Sequence, residues 1–484
     1  MTELNTGERF RRRGFEGSLL TLAAALSVHL LRFGSNLALT RLLLRESFGL
    51  MALVNVFVLG LEFLSDIGTR AVIIQDRRGE RREFLDTAFT LQAARGFFLY
   101  GVVWIAAGPF ASHYGDARLE ELLPVTGLAA IINGLVSTKL YEANRRLEMR
   151  RIMAIQVAAQ AASALTLVAW AWWSPTVWAL VAGGLVYPIT RTVLSHAVLH
   201  GERNRIALHL ESGRTMLSFG KWIFLSTLLT FVVQHSDRLI FGGMMSLEML
   251  GVYSMALMLT RAPLELFTQI SSQVAFPIFS RAAGDAKFST IFDETRGPLL
   301  LMGGVVFSLT MAGGPTIARI IFPAGYEDAG WMIQLLSVLG LLCVHESYYR
   351  AAILALAKPN VLVVGALAKL LTMITLIWLG FRTLGIFGAI AGYAISEMFP
   401  YLVSGSYCAY RGVGNMRRDV LVMFGAGLAG FLGRAVAKAS TEASLPLALE
   451  VLALGVVVVL LWLPFVWPLI GQLAARLRPT PEVA

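Results

Sequence analysis

Apolar runs of about 18 or more residues recur along the whole chain, separated by short gaps that hold most of its charge. A helix crossing a hydrocarbon core about 30 Å thick needs roughly 20 such residues, so each run predicts one transmembrane helix. The runs fall near residues 17–44, 48–74, 86–112, 120–141, 152–173 and 176–199, then 214–243, 248–279, 296–322, 329–357, 359–380 and 383–410, and finally 419–439 and 445–472. Fourteen spans use about 280 residues and leave only short loops, with no room for a separate soluble domain. The expected fold class is all-α, a polytopic membrane protein of about fourteen transmembrane helices.

Composition agrees with this pattern. The 484 residues are 56% hydrophobic and 15% charged, and the mean hydropathy of +0.67 lies outside the soluble globular range. A formal net charge of +10 raises the question of nucleic acid, but the arginines are scattered over many short loops without a basic domain. Membrane orientation accounts for them better, and no nucleic-acid partner is expected. Cys343 and Cys408 both fall inside apolar runs with no CxxC spacing and no partner histidine set, so they read as packing residues, and no metal or cofactor is implied. Arg9, Arg11, Arg12 and Arg13 precede the first run as in a signal peptide, but that run continues to about Leu44, too long for a cleaved segment. An uncleaved first span with a cytoplasmic arm is expected.

The basic residues choose an orientation. Arg77, Arg78, Arg81 and Arg82 follow span two; Arg145, Arg146, Arg150 and Arg151 follow span four; Arg203 and Arg205 follow span six. Arg281 and Lys287, Lys358, then Arg411, Arg417 and Arg418, then Arg476 and Arg478 continue the series. The intervening gaps hold little beyond Arg45, Arg118 and Arg382. By the positive-inside rule both termini are cytoplasmic, which requires an even number of spans.

The two halves also resemble each other. Arg45-Glu46-Ser47-Phe48-Gly49-Leu50, opening span two, resembles Leu247-Glu248-Met249-Leu250-Gly251-Val252, opening span eight. Tyr114-Gly115-Asp116-Ala117 likewise resembles Tyr326-Glu327-Asp328-Ala329, each ahead of a leucine-rich helix. Two matches at similar offsets point to a duplication, with an N-terminal lobe over 1–208, a C-terminal lobe over 209–411 and two appended helices over 412–484. Duplicated six-span halves predict a site between them, near the midplane.

An ionisable side chain at mid-bilayer costs about 2.5–3.5 kcal/mol on insertion scales, so several on one helix face need pairing or a wet cavity. In span one His29, Arg32 and Asn36 share a face, and in span two Glu62, Asp66 and Arg70 follow at intervals of four. Span seven carries Ser226, Thr230, Gln234 and Asp237 or Arg238, and span eight Ser254, Arg261, Glu265 and Gln269. These are the equivalent helices of the two halves, as a shared central cavity would need. Asp66 with Arg70, and Arg261 with Glu265, are spaced so that each pair could instead neutralise itself in a packed interface. Arg32 has no acidic residue one turn away in its own helix and is the leading candidate for a ligand contact. A guanidinium suits phosphate because its planar fork donates two parallel bonds and stays charged when desolvated. Lys369 and Glu397, mid-span in eleven and twelve, are further candidates, with helix packing as the alternative; Glu346 and Arg350 read as a structural pair.

Tyr348, Tyr349, Trp172, Trp173 and Trp178 lie near span ends, where interfacial aromatic belts are expected. The sequence holds no phosphate-cradling GxxxxGK[ST] loop, no HExxH and no nucleophile elbow, which argues against ATP hydrolysis by this chain.

The stretch from Ser35-Asn36-Leu37 through Thr40-Arg41-Leu42-Leu43, Phe48-Gly49-Leu50, Glu62-Phe63-Leu64-Ser65-Asp66-Ile67-Gly68, Ala71-Val72-Ile73-Ile74-Gln75 and Leu85-Asp86-Thr87-Ala88-Phe89 resembles the N-terminal signature of polysaccharide-biosynthesis flippases. These Wzx-type proteins belong to a superfamily that also holds multidrug extruders and lipid II flippases. The resemblance implies two six-helix lobes that open alternately to either side of the membrane. It implies a polyprenyl-pyrophosphate-linked oligosaccharide as substrate, with membrane lipids, a polysaccharide polymerase and chain-length or export proteins as partners. Cationic cavity residues would take the head group, a role that Arg32 and Arg261 match in position, with Asn36, Gln234 and Lys369 beside them. Glu62, Asp66, Arg70, Asp237, Glu265 and Glu397 are expected to couple transport to a proton or cation, or to form ion pairs.

The expectation is therefore a bacterial inner-membrane flippase for exopolysaccharide, capsule or O-antigen assembly, not an enzyme. A drug or cation antiporter of the same fold would carry a cavity of carboxylates and aromatics, whereas these stripes mix arginine with acid. A multi-span glycosyltransferase or polymerase would carry a sizeable periplasmic loop, whereas the outward gaps are only a few to roughly ten residues.

Overall fold

The structure, a computed structural model, describes residues 23–65, 68–76, 78–146, 148–443 and 446–477, and among these it contains helices and no strand. By its contacts the chain divides into two compact units, Met1–Ser254 and Met255–Ala484.

In the first unit α1 covers residues 23–42, followed by α2 (Arg45–Leu64), α3 (Thr69–Gln75), α4 (Arg82–Tyr114), α5 (Arg118–Gly134), α6 (Lys139–Arg145), α7 (Met149–Trp173), α8 (Trp178–Ala197) and α9 (Leu210–Gly242). α10 (Leu247–Ile270) begins in this unit. The helices form where apolar residues run on, and polar side chains stop them. α4 ends at Gly115, whose φ of 70° a residue with a Cβ adopts only at a cost. The next residue, Asp116, accepts a hydrogen bond from the Arg118 backbone N–H at 2.9 Å and so starts α5. α5 and α6 together fill the expected fourth span but are bent by 57° at a short break.

The second unit holds the rest of α10, a π-helical turn at Ser271–Ala275, α11 (Phe276–Ala282), α12 (Phe288–Ile321), α13 (Ala329–Ala355), α14 (Pro359–Ser396), α15 (Met398–Tyr410), α16 (Met416–Glu442) and α17 (Leu447–Leu477). α14 is interrupted at Gly385, with φ 63° and ψ −143°, and its legs fold back on each other. The legs touch closely: a Cβ on Gly380 would lie 2.1 Å from the Gly388 carbonyl oxygen. This break falls within a few residues of the gap expected between spans eleven and twelve. Among the described spanning helices α13 is the most enclosed, with 72% of its apolar window buried, and it contributes to two apolar clusters, one around Phe307 and Trp462 and one around Phe279 and Phe292.

Each of the fourteen expected stretches overlaps a described helix. By length and apolarity, however, eight described helices qualify as spans, or nine with the bent α5–α6 pair, so the count of fourteen is not reached by that measure. The α14–α15 hairpin counts once there, and α8 and α10 fall below the measure because polar side chains dilute their apolar runs.

One expectation about aromatic residues is corrected. Trp172 and Trp173 are exposed at 79% and 85%, as interfacial rings are, but Tyr348 and Tyr349 are buried. Both belong to the core around Phe279, where the Tyr348 ring meets that of Phe279 and the Tyr349 hydroxyl finds an internal acceptor, donating to Asp419 Oδ2 at 2.7 Å. Cys343 and Cys408 carry free thiols inside the second unit.

Candidate functional site

Polar side chains enter the first unit at the break between α5 and α6. A helix end leaves carbonyls without intrahelical partners, and inside a bilayer each needs another donor. Gln92 of α4 supplies one amide group to three of them, its Nε2 donating to the carbonyls of Asn133, Gly134 and Val136 at 3.0, 3.2 and 3.2 Å. From α8, Thr192 donates to the Ile132 carbonyl at 3.0 Å and His196 Nε2 to that of Leu135 at 2.9 Å. Close passage of α4 and α5 makes this reach possible. A Cβ on Gly96 would lie 2.6 Å from the Ala130 carbonyl oxygen, and one on Gly134 would lie 2.9 Å from that of Gln92.

Beside the break lies a cavity of about 320 Å³ whose wall includes Glu62, Thr69, Gln92, Arg95, Asn133, Tyr141 and Arg191. Asn133 Nδ2 donates to Glu62 Oε1 at 3.0 Å, joining α5 to α2. Arg95 is fixed at two of its three nitrogens: Nε donates to Ser65 Oγ at 2.9 Å, and Nη2 donates to the Glu62 backbone carbonyl. Tyr141 donates to Gln92 Oε1 at 3.1 Å. Arg191 is half-buried and, among the described residues, makes no side-chain hydrogen bond or ion pair. The chemistry of this wall is that of a polar pocket with two guanidinium groups and one carboxylate inside an apolar bundle.

The residues expected from sequence are distributed over both units. Arg32, halfway along α1, is exposed and, among the described residues, makes no side-chain hydrogen bond or ion pair. Asn36 is half-buried and Gln234 is exposed, and both are engaged in interactions. Asp237 is buried and accepts a hydrogen bond from Tyr253 at 2.6 Å. Arg261 and Glu265 on α10 belong to the second unit, half-buried and both engaged. Lys369 and Glu397 form a buried ion pair, Lys369 on the first leg of α14 and Glu397 between α14 and α15. Glu346 and Arg350 pair at 2.8 Å along α13. Asp66 and the side chain of Arg70 lie outside the described residues.

Sequence reasoning passed over two groups. Arg95 and Arg191 lie inside expected spans three and six, so the test applied to spans one, two, seven and eight finds them too. In the second unit Arg296 and Asp419 form an ion pair that is 3% and 0% exposed. Tyr349 and Tyr401 both donate to the same Asp419 oxygen, at 2.7 and 3.2 Å. The guanidinium of Arg296 stands over the rings of Phe292 and Tyr349 at 5.2 and 4.4 Å. Both charges sit at the ends of expected spans, where they read as loop residues.

Comparison with known proteins gives this arrangement relatives. The family model described as "Polysaccharide biosynthesis protein" matches residues 38–296. The chain is 23% identical over 376 residues to "Lipopolysaccharide biosynthesis protein WzxC" of Escherichia coli (strain K12), which covers 76% of this chain and 75% of that one. Among solved structures it is similar to "Lipid II flippase MurJ, inward closed conformation", with a TM-score of 0.66 and 12% identity over 95% of this chain and 99% of that one. A multidrug resistance MATE family transporter in an inward-facing conformation gives a TM-score of 0.65 and 15% identity over 81% and 98% of the two chains. The fold is the one these transporters share.

Proposed function

Because this chain belongs to the polysaccharide biosynthesis protein family, we propose that it is a flippase, not an enzyme, carrying a polyprenyl-pyrophosphate-linked oligosaccharide repeat unit across the bacterial inner membrane. The product would feed exopolysaccharide, capsule or O-antigen assembly, with a polysaccharide polymerase and chain-length or export proteins downstream. Both termini are cytoplasmic in this reading, and the repeats divide the chain at residues 208 and 411. A relative named for lipopolysaccharide biosynthesis and a fold-mate named as a lipid II flippase support it.

One observation carries the proposal: Arg32, in the middle of an apolar helix, is exposed and without a side-chain partner among the described residues. A bare guanidinium in the hydrocarbon region is costly, by about 2.5–3.5 kcal/mol on insertion scales, unless water or an anion meets it. A pyrophosphate is the anion that a lipid-linked saccharide brings, and a guanidinium fork grips it in two places. Arg261 adds a second cation, and Asn36 and Gln234 offer amides to sugar hydroxyls. Contacts that differ between two arrangements of the helices would then bias the inward and outward states. Glu62, Asp66, Arg70, Asp237 and Glu265 remain for coupling or ion pairing. Lys369 and Glu397 neutralise each other, and we assign them to holding the α14–α15 hairpin.

The test is made in the native cell. In a deletion strain the polyprenyl-linked intermediate should accumulate on the cytoplasmic face of the inner membrane. Normal polymer export from that strain, with a change only in drug tolerance, would reject the proposal in favour of an antiporter.

A further inference from the structure

The cavity beside the α5–α6 break contains an imbalance that its own residues do not remove. Its wall carries Arg95 and Arg191 against a single carboxylate, Glu62, which already accepts a hydrogen bond from Asn133 at 3.0 Å. The backbone carbonyls that could solvate a cation are taken: those of residues 132–136 receive hydrogen bonds from Gln92, Thr192 and His196. Arg95 keeps Nη1 without a hydrogen bond, because Nε and Nη2 are bound to Ser65 and the Glu62 carbonyl. Arg191 keeps its whole guanidinium without a partner among the described residues. Two guanidinium groups with donors to spare thus line one cavity whose neighbouring acceptors already receive hydrogen bonds.

We propose that this cavity within the first unit binds an oxyanion, a phosphate or carboxylate group, held by Arg191 and by the free edge of Arg95. The volume of about 320 Å³ lies at the small end of ligand pockets, which suits a phosphoryl group or one acidic sugar ring and excludes a whole repeat unit. Oxyanions fit better than halides because a guanidinium fork donates parallel hydrogen bonds to two oxygens of one group. Arg95 is preorganised by its two fixed nitrogens, so binding sacrifices little rotamer freedom there. Gly96 and Gly134, also in the wall, let α4 and α5 pass closely there, since a Cβ at either position would collide with the opposing backbone. The oxyanion can come from the head of a lipid-linked saccharide or from the medium. Only the first source rests on the flippase reading; the binding itself does not.

The experiment uses the full chain in lipid nanodiscs, with sodium orthophosphate and geranyl pyrophosphate as probes and sodium chloride holding ionic strength constant. Saturable binding of at least one probe is expected, weakened about tenfold or more by Arg191→Gln and less by Arg191→Lys, because lysine keeps the charge but loses the fork. Orthophosphate binding identifies the free ion as sufficient, and binding of geranyl pyrophosphate alone identifies the lipid head group; either supports the site. A second readout needs no variant: the bound probe should slow phenylglyoxal modification of Arg191 about fivefold or more, while exposed Arg150 reacts unchanged. Absence of saturable binding by both probes, or binding without protection of Arg191, overturns the proposal and leaves a water-filled pocket. Neither result bears on which membrane face accumulates intermediate, so the two readings fail separately.

Discussion

Gly49 and Gly251 meet in a reciprocal contact: a Cβ on Gly49 would stand 2.0 Å from the Leu247 carbonyl oxygen, and a Cβ on Gly251 would stand 2.0 Å from the Arg45 carbonyl oxygen. Arg45 and Leu247 hold equivalent positions in the two similar segments that open α2 and α10, as do Gly49 and Gly251. Each segment thus rests its glycine on the first residue of the other, a local two-fold arrangement. The two segments that resemble each other in sequence are also in contact, and the glycines are there because backbone lies where a side chain would go. An ion pair between Arg45 and Glu248 at 3.6 Å closes the same junction.

Gly49→Ala and Gly251→Ala should each lower the melting temperature of the detergent-solubilised protein. Alanine gains about 1 kcal/mol of helix propensity, but overpacking against a rigid carbonyl costs about 1–3 kcal/mol and parts the helices. Because both substitutions open one contact, the double variant should lose less than the sum of the two. Gly34→Ala, where an added Cβ meets nothing within 4 Å, should be neutral or stabilising. Equal effects at all three glycines would reject the close-contact account.

The Arg296–Asp419 pair should behave as a buried charge pair whose halves depend on each other. Removing one partner strands the other in a dry core, an effect of about 3–5 kcal/mol, whereas replacing both with apolar residues of similar volume removes most of that penalty. Thermal melting of Asp419→Asn, Arg296→Met and the Arg296→Met/Asp419→Leu double variant measures this. The double variant should melt above both single variants. A double variant that melts below them would mean that Tyr349 and Tyr401, left without their acceptor, dominate the balance.

Acid should weaken the turn between α4 and α5. Hydrogen bonding from the Arg118 side chain, helped by its backbone N–H, holds the Asp116 carboxyl below the usual carboxylate range despite partial burial. A lowered folded-state value means the charged form contributes stability above the unfolded value of about 4, and that this contribution is lost as pH falls through the lower folded value. Asp116→Asn should therefore melt below wild type at neutral pH, with the gap closing under acid. A gap independent of pH would assign the loss to geometry alone.

Much of the fold was legible because spans must satisfy backbone hydrogen bonds internally, which forces long apolar helices with charges in the gaps. The α14 break at Gly385 fell where the sequence left only a short gap, since a glycine with positive φ is one of few residues that turn a helix so sharply. The candidate site was legible only in part. Arg32 stood out because its helix offers no acidic neighbour, and the structure leaves its guanidinium without a partner among the described residues. The Lys369–Glu397 pair was not legible as a pair, because its members are 28 positions apart and meet only through the hairpin. Tyr348 and Tyr349 misled for the converse reason: proximity to a span end says nothing about which face a ring occupies, and both are buried, Tyr348 against Phe279 and Tyr349 with its hydroxyl on Asp419.

In the function proposed above, this chain moves a lipid-linked saccharide through contacts made by Arg32. The most direct measurement reconstitutes it in liposomes with a fluorescent polyprenyl-pyrophosphate saccharide in both leaflets and follows quenching by an impermeant reagent. Wild-type protein should bring the inner-leaflet pool into reach of the quencher, and Arg32→Ala should slow this about tenfold or more at equal incorporation, with Arg32→Lys between them. Quenching by wild type that stops at the outer-leaflet half, as in protein-free liposomes, would contradict transport, and an undiminished rate in Arg32→Ala would contradict the role given to Arg32.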